Sequence, residues 1–450
     1  MGKMAELRYS TPIDLGKLST ETGIPSCLLP TRVEVPKRLG RVLDKKRATP
    51  TAGYPAPNKT RDCPMNTAST ATATTTTAIA PAKNHYVILD GLRGVASLMV
   101  LAFHLCEPFS DGNPVKQIIN HGYLAVDFFF MLSGFVIAYA YDDRWTRMTQ
   151  WEFYKRRLTR LQPMVIMGSL IGAAFFYFQK GPAFPLIATT PVWKMLLVMF
   201  VGCTLLPLPT SMDIRGWNEM HPLDGPAWSL FFEYIANILY ALGLRKLSKR
   251  ALSVFVFLAA ILLIQLAVFG QRGDLIGGWA LSAKELHVGF ARLLFPFFAG
   301  ILLSRLGARI QLKGAFGISS LLLLVALSLP RFGGTQYHWM NGLYEAFCVI
   351  LLFPIIVAIG AGEKRVDGPS IRVARFFGDL SYPLYITHYP LIYIYTQWVV
   401  RDKPTGARGV LPALLVAIAA ITIAYTSLKL YDEPVRKWLS RGFLAKQGRV

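Results

Sequence analysis

The feature that most constrains this chain is a succession of long apolar stretches, which begins at residue 86 and continues almost to the C-terminus. A membrane-spanning helix needs about 20 largely apolar residues. Eleven stretches approach that length, at residues 86–106, 122–141, 161–178, 191–208, 226–244, 251–270, 286–304, 315–330, 343–361, 378–400 and 409–430. The sequence therefore predicts an all-α fold, a polytopic membrane helical bundle.

Charge is scarce in this chain and unevenly distributed. Hydrophobic residues make up 53% of its 450 residues and charged residues 16%, whereas a soluble domain has about 25% charged residues. Lys and Arg number 48 against 26 Asp and Glu. The basic residues stand in short clusters between apolar stretches, as in the cytoplasmic loops of membrane proteins. We therefore expect the lipid bilayer as a partner, and no nucleic acid.

The basic clusters also predict a topology, because the positive-inside rule places them on the cytoplasmic side. Between residues 160 and 245 the chain must then cross the membrane an even number of times, although three apolar stretches lie there. We interpret 191–208, which contains Lys194 and ends in LPLPT, as re-entrant or interfacial. About ten spanning helices remain, in a cell membrane (inner or plasma), with both termini cytoplasmic. The basic loop 401–408 is the one violation.

Three regions of the chain differ in composition. Residues 1–84 are polar and end in the run TASTATATTTTAIAPA, so we interpret them as a disordered, low-complexity N-terminal extension. Residues 85–436 form the predicted transmembrane domain, and residues 437–450 a basic cytoplasmic tail. Because Met65 shortly precedes the first apolar stretch, we hypothesise that residues 1–64 lie upstream of the native start.

The sequence predicts no metal site and no tightly bound cofactor. The cysteines are scattered and form no C-x-x-C pair: Cys27, Cys63, Cys106, Cys203 and Cys348. Such a distribution indicates neither a metal site nor a disulfide framework. A glycine-rich nucleotide-binding loop is also absent from the sequence.

The first apolar stretch carries ionisable side chains, which are costly inside a membrane unless they are paired or face a wet cavity. At about 100° per residue, Arg93 and His104 fall within about 20° of each other on the helix, and Asp90 within about 60° of Arg93. The polar stripe is about 20 Å long. We interpret Arg93 and His104 as functional, whereas Asp90 is equally well explained as a structural partner of Arg93.

The next stretch contains Asp127 among aromatic residues and Ser133 at a Ser-Gly interruption. A buried carboxylate needs a cation, and we expect Arg93 or an arginine of the following loop to supply it. We include Asp127 among the candidate catalytic residues. Gly134, next to Ser133, is explained by close helix packing.

The loop WEFYKRRLTRLQP places Arg157 and Arg160 three residues apart, on one face of a helix. Guanidinium groups bind phosphates through a rigid fork, so this pair suits a polyphosphate. The alternative is ordinary anchoring at the membrane surface. Tyr154, in the same segment, is a further candidate for contact with a cofactor.

Two later segments carry polar residues at helical spacing. In DGPAWSLFFEY, Ser229 and Glu233 lie four residues apart, with Trp228 beside them. In LSYPLYITHYP the polar positions recur at spacings of four and three residues, as Ser381, Tyr385 and His388.

In this order, these segments resemble the acyltransferase family 3 membrane proteins from about residue 86 to residue 436. LDGLRGVASLMVLAFH matches the opening phrase of the family, in which ten residues separate an Arg from a His. GYLAVDFFFMLSGF, RLTRLQP, WSLFFE and SYPLYITHYP match its next four phrases, whereas the closing E-x-P-x-R is shortened to EPVR. Five phrases in order make a chance agreement negligible.

The resemblance implies transfer of an acyl group, usually acetyl from acetyl-CoA, to a hydroxyl of a carbohydrate or glycoconjugate. Acyl-CoA is then a donor substrate, and many members of the family modify polysaccharides. We expect His104 to accept a proton from the attacking hydroxyl, or to carry the acyl group itself. Arg93 would hold an oxyanion or a CoA phosphate, and Arg157 and Arg160 would bind CoA phosphates. Glu233 would orient His104 or the acceptor.

Two other classes of protein were weighed against an enzyme. A transporter or flippase also places Arg, Asp and His residues near the middle of the membrane, but this sequence lacks the internal repeats that many transporter folds show. A membrane receptor or scaffold would not need several polar groups of side chains inside the bilayer.

Overall fold

The computed structural model describes residues 85–110, 113–334, 336–363 and 367–444, and within these ranges it consists of helices and loops without a β-strand. The helices in chain order are α1 Val87–Cys106, α2 Ala125–Tyr141, α3 Gln150–Phe175, α4 Val192–Gly202, α5 Ala227–Leu242, α6 Lys249–Phe269, α7 Ala283–Leu306, α8 Ala315–Ser328, α9 His338–Phe347, α10 Phe353–Gly362, α11 Pro369–Thr387, α12 Tyr389–Asp402, α13 Gly406–Ser427 and α14 Glu433–Leu439. The predicted all-α class is confirmed. The predicted extension 1–84 and residues 445–450 of the predicted tail lie outside the described residues.

Within the described ranges, seven helical segments are long and apolar enough to cross a membrane, judged by length and composition. They are Val87–Ser110, Gly122–Tyr141, Gln150–Gln179, Lys249–Phe269, Ala283–Leu306, His338–Gly362 and Gly406–Gly442. Each corresponds to one of the predicted stretches. The multi-pass membrane architecture therefore agrees with the sequence.

Three predicted stretches form shorter apolar helices, α4, α5 and α8. The 11 residues of α4 rise by about 16 Å, about half the thickness of the hydrocarbon core, which suits the stretch that was predicted not to cross. With 16 and 14 residues, α5 and α8 are also shorter than the spans predicted at their positions.

The predicted span 378–400 is wrong as a single helix. Its residues belong to α11, which starts already at Pro369, and to α12, and His388 lies at the junction. Pro390 has no backbone N–H and its ring conflicts with the carbonyl group four residues earlier, which disfavours a continuous helix here. The Nδ1 atom of His388 lies 3.0 Å from the carbonyl oxygens of Leu384 and Tyr385, at the end of α11.

A π-helical turn, Leu428–Asp432, joins α13 to α14, so the last helical segment extends well beyond the predicted stretch 409–430. Such a turn shifts the register of a helix, and π turns often occur at functional sites. Helix α14 and a second π turn, Ser440–Leu444, continue through residue 436. The predicted boundary between domain and tail is therefore not a break in the structure.

Glycine residues bring the helices around the site into close contact. A Cβ atom at Gly94 of α1 would lie 2.2 Å from the carbonyl oxygen of Phe377 in α11. At Gly134 of α2 it would lie 1.9 Å from the carbonyl oxygen of Phe297 in α7. Close backbone approach of this kind is a common use of glycine between membrane helices. The pairs α1–α11 and α2–α7 are therefore held in fixed register.

Candidate active site

A cavity of about 760 Å³ lies among α1, α2, α3, α5, α11 and the segment from α13 to α14. Its lining includes six cationic residues, which are Arg93, Arg157, Arg160, Arg436, Lys437 and Arg441. The sequence indicated the first three as ligands of a negatively charged group. Five further candidates, Asp90, Ser133, Glu233, Ser381 and Tyr385, line the same cavity. Most of the predicted site thus converges on one space.

Helix α1 supplies Arg93, whose Nη1 atom donates a hydrogen bond of 3.1 Å to Asp90 one helical turn earlier. The pairing follows from the spacing of the two residues. Asp90 also lies 2.8 Å from Nε2 of His85, a residue to which the sequence assigned no role and which lines the cavity. The hydrogen bond to Asp90 raises the pKa of His85 above its ordinary value of 6.5, because it favours the charged imidazolium.

Helix α3 presents Arg157 and Arg160 to the cavity from one face, as predicted. Arg157 Nη2 donates to Oε1 of Glu233 in α5 at 2.7 Å, and the hydroxyl of Ser133 in α2 donates to the same oxygen at 2.6 Å. Arg160 has no hydrogen bond or ion pair with any other residue that the structure describes, and it is exposed to the cavity. A guanidinium group that has no hydrogen-bonded partner and lies beside other arginines is suited to bind phosphate.

Glu233 does not orient His104, contrary to one of the predictions. Its carboxylate binds Arg157 and Ser133, and His104 does not line the cavity. His104 follows Arg93 by eleven residues, which corresponds to about 16 Å along the helix axis. Two residues on one helix face can therefore belong to different sites when three turns separate them.

His104 belongs to a second polar group near the other end of α1. Its Nδ1 atom lies 2.8 Å from Oε2 of Glu107, so Nε2 is the nitrogen left to accept a proton. The imidazole ring lies 4.7 Å from the ring of Tyr389 and 5.7 Å from that of His388, measured between centroids. The sequence analysis missed Glu107, although it follows His104 by three residues and so lies on the same helix face.

His388 also has one nitrogen occupied and one free. Nδ1 bonds to the backbone at the end of α11, whereas Nε2 is buried and has no hydrogen-bond partner among the described residues. His388 was predicted as part of a polar series with Ser381 and Tyr385, but only those two residues line the cavity. The two imidazoles of His104 and His388 instead lie side by side.

Hydroxyl groups lie between the arginines and the histidines. The Ser97 hydroxyl in α1 donates to the carbonyl oxygen of Ser381 in α11 at 2.9 Å. The Tyr385 hydroxyl lies 2.7 Å from the hydroxyl of Ser229 in α5, and the Tyr385 ring lies 6.3 Å from the ring of His388. These residues form a polar track along the inner faces of α1, α5 and α11.

Asp127 pairs with a different arginine from those predicted. Its partner is Arg292 of α7, with Nη2 to Oδ2 at 2.6 Å, and neither Arg93 nor an arginine of the loop before α3 is involved. The Arg292 guanidinium carbon also lies 5.2 Å from the centre of the Trp228 ring. Both members of the ion pair are fully buried. Asp127 and Trp228 therefore support the fold near the cavity and do not line it.

Arg292 was missed although its signal was present, because it is an ionisable residue inside the predicted span 286–304. The prediction for Tyr154 does not agree with the structure. Tyr154 lies outside the cavity and packs against the hydrophobic core, 5.7 Å from the ring of Phe153. Tyr154 lies three residues before Arg157 in α3, so helical spacing alone placed it near the site, whereas its side chain packs against the core.

The cations of α14 were also missed, because the sequence analysis assigned Lys437 and Arg441 to a tail. The sequence feature that could have identified these cations is the helical spacing of polar residues in this segment. The residues of this segment that line the cavity recur at spacings of three and four, as Glu433, Arg436, Lys437, Ser440 and Arg441.

Comparisons with known proteins bear on this arrangement. A family model described as an acyltransferase domain matches residues 86–428. The O-acetyltransferase OatA of Staphylococcus aureus is 24% identical over 372 residues, which cover 79% of this chain and 58% of OatA. The acyltransferase MdmB of Streptomyces mycarofaciens is 26% identical over 359 residues, 74% of this chain and 87% of MdmB. Protein 2 in the picA locus of Rhizobium radiobacter is 33% identical over 196 residues, 41% of this chain and 96% of that protein.

No solved structure matches this chain. The chain spans little more than half of OatA. The family match, however, covers most of the chain and includes α1, α2, α3, α5 and α11, which contribute to the cavity. The chain therefore belongs to acyltransferase family 3 and is an integral membrane acyltransferase.

Proposed function

We propose that this enzyme transfers an acyl group, with acetyl as the expected case, from acyl-CoA to a hydroxyl group of a carbohydrate or glycoconjugate. The observation that carries the proposal is the arginine-lined cavity, in which Arg160 makes no hydrogen bond or ion pair among the described residues and lies beside Arg93 and Arg157. CoA contains a pyrophosphate, a ligand that suits several guanidinium groups. The name of OatA, an O-acetyltransferase, supports acetyl as the group and oxygen as the acceptor atom.

The donor would enter from the cytoplasmic face of a cell membrane. The cavity lies toward the end of the bundle where α1 begins. There Arg309 donates to the Tyr86 hydroxyl at 2.8 Å, and Arg305 pairs with Asp142 at 2.7 Å. Because basic connections are retained in the cytoplasm, these arginines support a cytoplasmic position for this end, and both termini of the domain would then lie on that side.

His104 would supply the proton transfer. As the acceptor oxygen attacks the thioester carbonyl, a C–O bond forms, and the hydroxyl proton passes to Nε2 of His104. The C–S bond then breaks, and the imidazolium returns the proton to the leaving thiolate. The pantetheine arm of the donor would follow the polar track past Ser97 and Tyr385. A route through an acyl group carried on Nε2 uses the same nitrogen.

The test uses the full-length protein in lipid nanodiscs, with labelled acetyl-CoA as the donor. We expect Arg160→Gln to weaken acetyl-CoA binding about tenfold to a hundredfold, since a hydrogen bond to a charged group contributes about 1.5–3 kcal/mol. His104→Ala should abolish acyl transfer and leave donor binding unchanged. Arg401→Gln, at an exposed arginine paired with Asp402, is the control and should change neither. Wild-type protein that does not bind acetyl-CoA would overturn the proposal.

The acceptor can be identified by mass spectrometry of surface glycans and glycoconjugates from wild-type cells and cells that lack the gene. Loss of one acetyl group from a defined sugar would identify the acceptor and support acyl transfer. An unchanged acetylation pattern, together with a mislocalised glycan, would contradict the proposal and favour a transporter.

A further inference from the structure

The cations of the cavity come from two parts of the chain. One group, in α1 and α3, consists of Arg93, Arg157 and Arg160. The other group, in α14 and the turn after it, consists of Arg436, Lys437 and Arg441. The residues that match the family model end at 428 and do not include the second group. This second group is not needed to explain binding of a pyrophosphate.

The second group is presented to the cavity by the geometry of the last helix. The π turn Leu428–Asp432 precedes α14 and buries Asp432, which accepts a hydrogen bond of 3.1 Å from Nη1 of Arg436. Trp438 lies on the other face of α14 and is 71% exposed, as suits an aromatic residue at a membrane surface. The face with the cations therefore meets the cavity, and the exposed Trp438 lies outside the cavity lining.

Lys437 and Arg441 differ from Arg436 in that neither forms an ion pair among the described residues. Arg436 is paired with Asp432, and Glu433 with Lys429. Neither Lys437 nor Arg441 has a hydrogen bond or ion pair with another residue in the described part of the chain, and both are exposed. Like charges one helical turn apart repel each other, and an anion bound between them would remove that repulsion.

We propose that Lys437 and Arg441 bind the ribose 3′-phosphate of the CoA donor, and that they make the enzyme selective for CoA over donors that lack this phosphate. The inference rests on the proposed acyl-CoA donor. A phosphate monoester carries about −1.5 to −2 charges at neutral pH, so two cations match it. CoA has its pyrophosphate and its 3′-phosphate at different positions of one nucleotide, and the cavity has its cations in two groups.

The experiment compares the dissociation constants of CoA and 3′-dephospho-CoA for the full-length protein in nanodiscs, measured by isothermal titration calorimetry. Wild-type protein is expected to bind CoA about tenfold to a hundredfold more tightly. A double variant, Lys437→Gln with Arg441→Gln, should bind both ligands as weakly as wild-type protein binds 3′-dephospho-CoA. Arg160→Gln should weaken the binding of both ligands and preserve the ratio of their dissociation constants. Arg401→Gln should change neither dissociation constant.

The outcomes separate this inference from the function on which it rests. Two results would show that Lys437 and Arg441 do not bind the 3′-phosphate: equal affinity of wild-type protein for the two ligands, or a wild-type ratio of the two dissociation constants in the double variant. Neither result would contradict the proposal that the cavity binds the acyl-CoA donor. If wild-type protein binds neither ligand, the acyl-CoA donor is contradicted, and this inference with it. An unchanged thermal unfolding midpoint of the double variant shows that its fold is retained.

Discussion

At the scale of a single residue, the contact between Glu107 and the imidazole of His104 matters most for the proposed mechanism. Its carboxylate lies 2.8 Å from Nδ1 of His104 and is itself 45% exposed. A carboxylate in this position orients the imidazole and favours the tautomer that has its proton on Nδ1. Under the proposed mechanism, His104 is the base and Glu107 the group that orients it.

Replacement of this carboxylate by an amide should reduce catalysis without affecting donor binding. We expect Glu107→Gln to lower kcat about tenfold to a hundredfold, because a positioned base contributes about 10²–10⁴ in rate and the amide retains shape but not charge. The KM for acetyl-CoA should stay near the wild-type value. Steady-state acyl transfer measures both constants. A wild-type kcat in this variant would show that Glu107 has no part in the reaction.

Contacts within one helix were predictable from the sequence, whereas contacts between helices were not. The pitch of a helix is sufficient to place Asp90 beside Arg93, and Arg157 on the same face as Arg160. Asp127 and Arg292 are 165 residues apart, and their meeting depends on how α2 packs against α7. Hydropathy can mark an ionisable residue inside an apolar stretch, as it did for Asp127, but it contains no information on which cation reaches which carboxylate.

The same limit applies at the scale of helices. Apolar length indicated α1, α2, α6 and α7 well, since each is a single apolar run. It placed the start of α11 too late, because Arg372 and Arg375 make the first turns of that helix resemble a loop. The break at His388 had a signal in Pro390, which the apolar character of the surrounding residues obscured.

The contact between α2 and α7 gives a test at this scale. Gly134→Ala would place a Cβ atom 1.9 Å from a backbone oxygen of α7, so the helices must move apart. We expect a loss of about 1–3 kcal/mol in the free energy of unfolding. Gly317→Ala in α8 is the matched control, because nothing lies within 4 Å of its added Cβ atom, and helix propensity favours Ala. The measurement is the thermal unfolding midpoint of each of the two variants in the same detergent. Equal midpoints for the two variants would contradict the close packing at Gly134.

At the scale of the whole molecule, the arginines of the cavity and His104 lie toward different ends of one helix bundle. Arg93 and His104 are separated by about 16 Å of α1. A donor held by the arginines can therefore extend across the membrane toward His104, and the acceptor can approach from the opposite face. The enzyme would then connect a cytoplasmic acyl donor to an acceptor on the other side.

This arrangement predicts a sided reaction in sealed proteoliposomes of uniform orientation. Acetyl-CoA, which does not cross lipid, should support transfer only when it is supplied on the side where α1 begins. The acceptor should react only on the opposite side. The measurement is the amount of labelled acetyl group transferred with donor and acceptor in separate compartments. Transfer that requires both substrates on one side would contradict the arrangement.

The cavity is lined by residues from both α1 and α14, the first and last helices of the domain. A ribosome delivers α1 to the membrane before the other described helices, and α14 only after them. A nascent chain that stalls before α14 thus lacks half of the cationic lining. Under the proposed donor site, such a chain would bind the acyl donor weakly, so full donor binding depends on the synthesis of α14.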